Sequence, residues 1–490
     1  MKLTELFKKV QIPFKSNDIA QDVDVADIVY DSRMVKKGDL YIAVPGFKVH
    51  GDSFINEAIQ SGAVAVISEN QQPQLSVPAF QVDNARALTG ALGRALWNVD
   101  LESIYTIGVT GTNGKTTTVL LFSALMDQLH TVLNSWMFGT VEFKIGDKRF
   151  EATHTTPEAL DIFRFVGKEN KQPKSISMEV SSHSLALHRV SGLKYNLAVW
   201  TNLTQDHLDF HGSMEEYYRA KKLLFTDYLK NDGVCVINID DKWGRRLSEE
   251  LGNKKCITFG TSDDASVKIN DCTSDWNGCE IELICGGVLK KYKSSLKGQF
   301  NVYNVAAMAA GAEALSVDCQ VVQRALDSIS TVPGRMDAVD IDAPFLVIVD
   351  YAHTPDALEN VLKTSRRLAK NRLLTVFGCG GDRDKTKRPL MARAVIDNCD
   401  EAIVTSDNPR SEKPQSIIND IVNAIPLDFP HVVIENRREA IACALRNARE
   451  GDCIVIAGKG HEEYQEVKGV KHHFSDKETV KELYTEMEKK

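Results

Sequence analysis

"SIYTIGVTGTNGKTTT", residues 103–118, decides the fold. The run through Ile104, Ile107 and Val109 has the apolar, β-branched character of a buried strand. It leads directly into Gly111-Thr112-Asn113-Gly114-Lys115-Thr116-Thr117 and then into residues of helical pattern. A strand, a glycine-rich turn and a helix form a phosphate-binding loop. Glycines let backbone amides approach phosphate oxygens, and the helix N-terminus adds a positive dipole. Lys115 is placed to reach the outer phosphates and the Thr116 hydroxyl to ligate Mg²⁺. The strict GxxxxGK[ST] pattern is broken because Val109 stands at its first glycine, but the GxxGKT core is intact. A purely structural strand-to-helix turn is the weaker reading, and a nucleoside triphosphate is the expected ligand. No guanine-reading NKxD motif occurs.

Outward from this loop, apolar runs alternate with helical stretches. "SISMEVSSHSLA" (175–186), "LAVWTNLTQDH" (197–207) and "GVCVINIDD" (233–241) each read as a buried strand ending in a polar tip. Such alternation predicts a mostly parallel sheet covered by helices. Upstream, "LYIAV" and "AVAVI" between Gly and Pro turns predict a small α/β unit over residues 1–98. Downstream, "STVPGRMD" (330–337) reads as a linker. The pattern then restarts with "FLVIVDYAHTPDA", "LLTVFGCGGDRD", "EAIVTSDNPR" and "CIVIAGKGHEE". The expectation is an α/β protein of three domains. A small N-terminal domain spans 1–98, a central nucleotide-binding domain with a mostly parallel sheet spans 99–332, and a Rossmann-like C-terminal domain spans 333–490. In such sheets ligands bind at the carboxyl ends of the strands.

Composition narrows the class. The chain has 490 residues, 43% apolar and 26% charged, which suits a globular protein with several cores. A net charge of −8 argues against a general nucleic-acid binder. No run approaches the roughly 20 apolar residues of a membrane span. All ten cysteines follow residue 234 without CxxC spacing, as expected of reduced thiols in the cytoplasm.

Three further stretches carry chemistry. Glu179, at the tip of "SISMEV", is either a Mg²⁺ ligand or one more solvated acid. "TNLTQDHLDFHG" (201–212) gathers Asp206, His207, Asp209 and His211 behind a strand, and a helix carrying Lys221 and Lys222 follows. "TSDNPRSEKP" (405–414) sets the anion Asp407 beside the cation Arg410 at a strand tip, although for this stretch taken alone an ordinary Asn-Pro turn with exposed charges is the favoured reading.

Taken together with "YDSRMVKKGDLYIAVPG", "HTTPE", "YYRAKKLLF", "GQFNVYN", "VDYAHTPD", "GCGGDRDKTKRP" and "AGKGHEEYQ", these stretches resemble the Mur ligases over essentially the whole chain. These are cytoplasmic, ATP-dependent, amide-forming enzymes of peptidoglycan synthesis. Within the family the pattern resembles the member that adds the third residue of the stem peptide. The resemblance implies ATP and Mg²⁺ as cofactors and a monomer. It implies UDP-N-acetylmuramoyl-L-alanyl-D-glutamate and meso-diaminopimelate as substrates, and no nucleic-acid or membrane partner. It assigns Gly111, Thr112, Asn113, Gly114, Lys115, Thr116, Thr117, Asn301, Asp350 and His353 to ATP. Ser32, Thr155, Thr156, Ser181 and Arg189 fall to the UDP-linked substrate. Thr116, Glu179, His207 and Lys221, the last as a carbamate, fall to metal; Lys115, Lys221, His207 and Glu179 become the catalytic group. Some relatives carry Gln at the position of Leu187.

For the amino acid, the resemblance matches Arg383, Asp407, Asn408, Pro409, Arg410, Gly458 and Glu462. Arg410, with its planar fork, suits the second carboxylate of diaminopimelate, and Asp407 and Asn408 suit the neighbouring ammonium. Two alternatives are weighed against this. One is a lysine-adding or sibling ligase; the other is a nucleotide-gated binding protein using the loop as a switch.

Overall fold

The computed structural model describes residues 1–12, 22–46, 49–72, 74–130, 134–152, 154–169, 172–275 and 277–489. By density of internal contact the chain forms two compact units. The first comprises Met1–Val109, His130–Ala198 and Ala220–Gly233; the second comprises Thr110–Leu129, Val199–Arg219 and Val234–Lys490.

In the first unit, Ile28–Val29, Leu40–Ala43, Ala65–Ser68 and Ala79–Gln81 form a four-stranded sheet, each strand parallel to the next. Its inner strands, Leu40–Ala43 and Ala65–Ser68, are buried on both faces, so the period of two divides their apolar residues between two cores. Leu40, Ile42 and Ile67 pack with Leu3, Phe7 and Leu92, while Tyr41, Ala43 and Val66 pack with Ile55 and Ala58. The helix Ala85–Leu96 starts where the Asn84 side chain accepts from the Ala87 amide at 2.8 Å. The same unit carries Tyr105–Thr110 (all but its last residue), Ser175–Glu179 and Ser135–Phe138 in parallel. Glu142–Ile145 and Lys148–Glu151 continue that sheet antiparallel.

In the second unit, the helix Lys115–Leu129 follows the glycine loop directly. The strand Leu229–Asn238, from Val234 onward, is followed by Cys256–Gly260 and Val267–Asp275 in parallel, then by Gly278–Cys285 and Val288–Ser294 antiparallel. The helix Gln299–Ala314 is rich in Ala and buried over most of its circumference, as a helix packed on several sides must be.

The C-terminal part of this unit is one six-stranded sheet in the order Asp337–Ala338, Leu346–Asp350, Cys453–Ala457, Leu373–Phe377, Glu401–Val404 and His431–Val433. All neighbours are parallel except at the Asp337–Ala338 edge. Alternate residues again feed two cores: Ile348, Phe377, Val404 and Val455 on one face, Val347, Val376, Ile403 and Ile456 on the other. Because the strands are parallel and in register, Asp350 beside Ala457 and Phe377 beside Val404, the four predicted polar tips emerge along one carboxyl edge. Among the described residues no helix is long and apolar enough to cross a membrane.

Candidate active site

The phosphate-loop residues lie in the second unit, where they share a cavity with the C-terminal sheet. Gly114 has φ +84°, and a Cβ there would stand 2.5 Å from Asn304 Oδ1; Gly111 leaves only 1.9 Å to Thr201 Oγ1. Both positions therefore exclude side chains. Lys115 folds back so that Nζ donates to Gly111 O (3.0 Å) and Thr112 O (2.8 Å). The Asn113 side chain donates to Asp356 Oδ2 at 2.7 Å, tying the loop to the start of the helix Pro355–Leu368.

The cavity has a volume of about 420 Å³. Asn113, Gly114, Thr116 and Thr117 form one wall, Phe259, Phe300, Tyr303 and Val361 an apolar one, and Asn238, Arg335, Asp350 and Asp356 add polar groups. Asn304 lines it and donates to Asn301 Oδ1 at 2.8 Å. Asn301, expected at the nucleotide, thus stands behind Asn304. Asp350 accepts from the Met336 and Ala352 amides, each at 2.7 Å; burial pushes its carboxyl up, and Arg335 pulls the other way. Arg335 itself lies over the Tyr351 ring, and its Nη2 donates to Thr116 Oγ1 at 3.3 Å. In sequence it was hidden inside the segment read as a linker.

Beside this cavity's loops sits an ionic hub. Asp206, 3% exposed, accepts from its neighbour's amide, His207 N, at 2.9 Å. It faces Lys387 Nζ at 3.2 Å, His207 Nε2 at 3.4 Å and His353 Nε2 at 3.7 Å. Burial alone would raise Asp206; Lys387 and then the two imidazoles overcome it and hold the carboxyl well below its usual range. His207 and His353, assigned separately from sequence to metal and to ATP, thus share one anion. His207 takes a left-handed backbone, φ 57°. Asp206 was visible as part of a cluster; Lys387 carried no signal beyond its place in "GCGGDRDKTKRP".

At the carboxyl edge of the six-stranded sheet the Asp407–Arg410 turn is largely buried. Lys459, fully buried, donates to Asn408 Oδ1 (2.8 Å) and Tyr464 O (2.7 Å) and faces Asp407 Oδ1 at 3.3 Å. Burial opposes the charge on Asp407, but Lys459 and Arg437 hold it below the usual range. Asn408 Nδ2 donates to Glu462 Oε2 at 2.8 Å; burial and the Asp407 charge raise the Glu462 carboxyl. Gly458, at φ +115°, passes within 3.1 Å of Asp407 Oδ2, measured from where a Cβ would stand. Arg410 donates to Gly381 O at 2.7 Å and lies 3.4 Å from Glu466 Oε2. Pro409 O would meet a Cβ on Gly381 at 2.0 Å, so the "GCGG" loop touches the turn only because it lacks side chains. Arg383 is exposed and flanks Gly380 opposite Arg410. Asp407, Asn408, Pro409, Arg410, Gly458 and Glu462 are therefore brought together. Lys459, which neutralises them, lay unremarked between two predicted positions.

The first unit holds the remaining predicted residues. Glu179, fully buried, accepts from Thr140 N (2.7 Å) and Thr140 Oγ1 (3.1 Å), and Thr140 reaches Thr155 Oγ1 at 3.2 Å. Thr156 Oγ1 donates to Glu179 O at 2.9 Å and accepts from Ser181 N at 3.1 Å. Arg189 lies 3.6 Å from Glu158, which also pairs with Arg86; burial raises Glu158 against both arginines. Four of the five residues matched to the UDP-linked substrate thus surround two acids, Glu179 and Glu158. Ser32 is buried and donates to Glu57 Oε2 at 3.3 Å. Lys221, on the helix Met214–Thr226, is 1% exposed, an unusual setting for a lysine.

Comparison with known proteins agrees across the chain. Residues 24–95 match the "Mur ligase family, catalytic domain" model, 109–312 the "Mur ligase middle domain" and 334–460 the "Mur ligase, glutamate ligase domain". UDP-N-acetylmuramoyl-L-alanyl-D-glutamate–2,6-diaminopimelate ligase 1 of Clostridium acetobutylicum is 39% identical over 491 residues, 99% of this chain and 100% of that protein. The corresponding ligase of Caldanaerobacter subterraneus is 40% identical over 492 residues, 100% of both. A solved structure of a 2,6-diaminopimelate ligase of that name superposes with a TM-score of 0.68 at 34% identity, covering 100% of both chains. MurF ligase from Thermotoga maritima, solved in complex with ADP, shares the fold at a TM-score of 0.65 and 21% identity, over 94% of this chain and 98% of that one. With its three segments matched in order and its length covered by such relatives, this chain belongs to the Mur ligase family.

Proposed function

We propose that the chain is an ATP-dependent ligase that adds meso-diaminopimelate to UDP-N-acetylmuramoyl-L-alanyl-D-glutamate in peptidoglycan precursor synthesis, acting as a cytoplasmic monomer. The observation that carries the reading is the array of buried Asp407 and Asn408 with half-buried Arg410 and Glu462 at a sheet edge, in the same compact unit as the phosphate loop. A carboxylate is a poor electrophile, so the D-glutamyl γ-carboxylate first attacks the γ-phosphorus of ATP and ADP departs. The amine of diaminopimelate then attacks the acyl phosphate, loses a proton, and inorganic phosphate leaves.

In this reading the amides of Gly111–Thr117 and Lys115 hold the phosphates, and Arg335 meets charge on the transferring group. Phe259, Phe300 and Tyr303 would supply the apolar wall for the nucleotide base. Magnesium, when bound, neutralises charge on the phosphoryl oxygens. In the second unit its donors in this reading are Thr116 and His207. Glu179, a buried carboxylate, and the Thr116 hydroxyl suit a hard cation. An ammonium at Lys221 does not, whereas N-carboxylation turns it into an anionic donor. Thr155, Thr156, Ser181, Arg189 and Ser32 hold the UDP-linked substrate.

Arg410 and Arg383 take the distal carboxylate of diaminopimelate, while Asp407, Asn408 and Glu462 take its ammonium. Lysine lacks that carboxylate. Leaving a buried charge unpaired costs about 2–5 kcal/mol, and sites built around a polar group reject analogues lacking it by up to about 10⁴. The test is phosphate release from ATP with the UDP-sugar dipeptide, comparing meso-diaminopimelate with L-lysine. A strong preference for diaminopimelate supports the proposal. Equal rates remove Arg410 as the selector, and no amino-acid-dependent turnover removes the ligase reading.

A further inference from the structure

Two of the ten cysteines face each other across neighbouring strands. Cys235, on Leu229–Asn238, and Cys256, on Cys256–Gly260, are register partners in a parallel pair. Register partners in a sheet point to the same face. The two side chains stand close enough that each shifts the titration of the other, Cys235 upward and Cys256 downward. Backbones of paired strands lie about 4.8 Å apart, inside the roughly 4.4–6.8 Å Cα separation that a disulfide spans. The pair is asymmetric. Cys235 is fully buried, with its thiol pushed up by the Cys256 contact and by burial. Cys256 is partly exposed; the neighbouring Cys235 thiol, with the nearby Lys254 ammonium, lowers its pKa against the opposing effect of burial. Such an electropositive, accessible setting makes a thiolate nucleophilic.

The same two strands feed the nucleotide cavity. Three residues further along, Asn238 and Phe259 are again register partners, and both line it. The amide of Ile239 donates to Phe259 O at 3.0 Å, and the Asn238 side chain donates to Thr201 O at 2.8 Å. Drawing Cys235 and Cys256 together therefore pulls on the segment that sets the spacing of two cavity walls.

We propose that Cys235 and Cys256 form a peroxide-sensitive dithiol that closes to a disulfide and weakens nucleotide binding. The Cys256 thiol gives its proton to solvent, and the thiolate attacks one oxygen of hydrogen peroxide, breaking the O–O bond and giving a sulfenic acid while the hydroxide released takes up that proton as water. The Cys235 sulfur then attacks the Cys256 sulfur, and the departing hydroxide takes the Cys235 proton. Overall, two thiols lose two electrons to one peroxide, which becomes two waters. Thiol reductants reverse it by exchange.

The effect on nucleotide rests on the ligase reading above; the disulfide does not. The full chain is treated with a few equivalents of hydrogen peroxide, alkylated and mapped by peptide mass, and ADP affinity is measured before and after by calorimetry. The expected result is a 235–256 cross-link, an ADP affinity lower by about tenfold, and recovery of both with dithiothreitol. Cys256→Ser should bind ADP as the untreated chain does and keep that affinity in peroxide. Cys235→Ala, which leaves the nucleophile without its partner, should carry Cys256 on to the sulfinic acid. Absence of the cross-link overturns the proposal. So does an equal loss of affinity in Cys256→Ser, which would assign the damage to other thiols such as the exposed Cys319. If the reduced chain does not bind ADP at all while the cross-link forms, the nucleotide reading fails and the dithiol stands.

Discussion

Removing the Lys387 ammonium should destabilise the protein through the anion it leaves behind. Lys387 opens the helix Lys387–Ile396, where the dipole disfavours a cation by about 0.3–1 kcal/mol. It is nonetheless buried, because Asp206 lies 3.2 Å away, with both side chains no more than 5% exposed. At an effective dielectric of about 20, two unit charges at that distance attract by about 5 kcal/mol before desolvation. Breaking a buried pair from one side costs about 3–5 kcal/mol. Asp206 keeps the His207 amide and two imidazoles, and the helix end is relieved of a cation, so Lys387→Met should cost about 3 kcal/mol. For a unit of this size that is a fall in Tm of about 5 °C. Asp206→Asn retains the acceptor for His207 N and removes the orphaned charge. The double variant should therefore recover at least half of the loss, a coupling of about 2 kcal/mol or more. Differential scanning calorimetry of the four proteins at neutral pH gives the answer. A strictly additive double variant, or a Lys387→Met Tm within a degree of wild type, would refute the reasoning.

Other perturbations read different parts of the molecule. Gly114→Ala places a methyl 2.5 Å from Asn304 Oδ1 at φ +84°, so ADP affinity by calorimetry should fall at least tenfold while the rest of the fold survives; unchanged affinity would remove the loop from nucleotide binding. Arg410→Ala should raise KM for diaminopimelate far more than KM for ATP; Arg410→Lys bears the same φ 52° strain but lacks the fork, so its loss isolates the bidentate contact from the backbone. Lys221→Ala should nearly abolish turnover, with partial rescue by short-chain carboxylic acids, and wild-type rates would remove the carbamate. Glu412 is held down to about 2 by its hydrogen bonds to Arg388, against an ordinary 4.5. Its contribution is therefore complete above about pH 4.5 and disappears as pH falls towards 2. Glu412→Gln should lower stability at neutral pH and flatten the acid-unfolding limb between those values, as followed by fluorescence.

Much of this was legible in the chain itself. The phosphate loop could be read because its chemistry is local: strand, glycines, lysine and helix are consecutive, and Gly114 stays Gly for a reason visible within a few residues. The C-terminal tips could be read for the same reason, since a parallel sheet delivers every strand end to one edge once the alternation of strand and helix is recognised. Asp407 and Arg410 announced themselves as opposite charges in one turn. Arg335 did not, because in sequence it follows Pro333 and Gly334 like any linker residue, and only folding lays it over Tyr351 and against Thr116. Lys387 and Asp206 are separated by 181 residues, and nothing along the chain couples them. Asn301 matched a nucleotide contact by motif, yet helical spacing turns Asn304 to the cavity and leaves Asn301 behind it. Sequence determined what is set by neighbours along the chain: element type, turn chemistry, and the family with its class of chemistry. Tertiary structure alone decided which distant charges neutralise one another, because the attraction that holds a buried pair depends on separation in space and on the exclusion of water, neither of which the order of residues records.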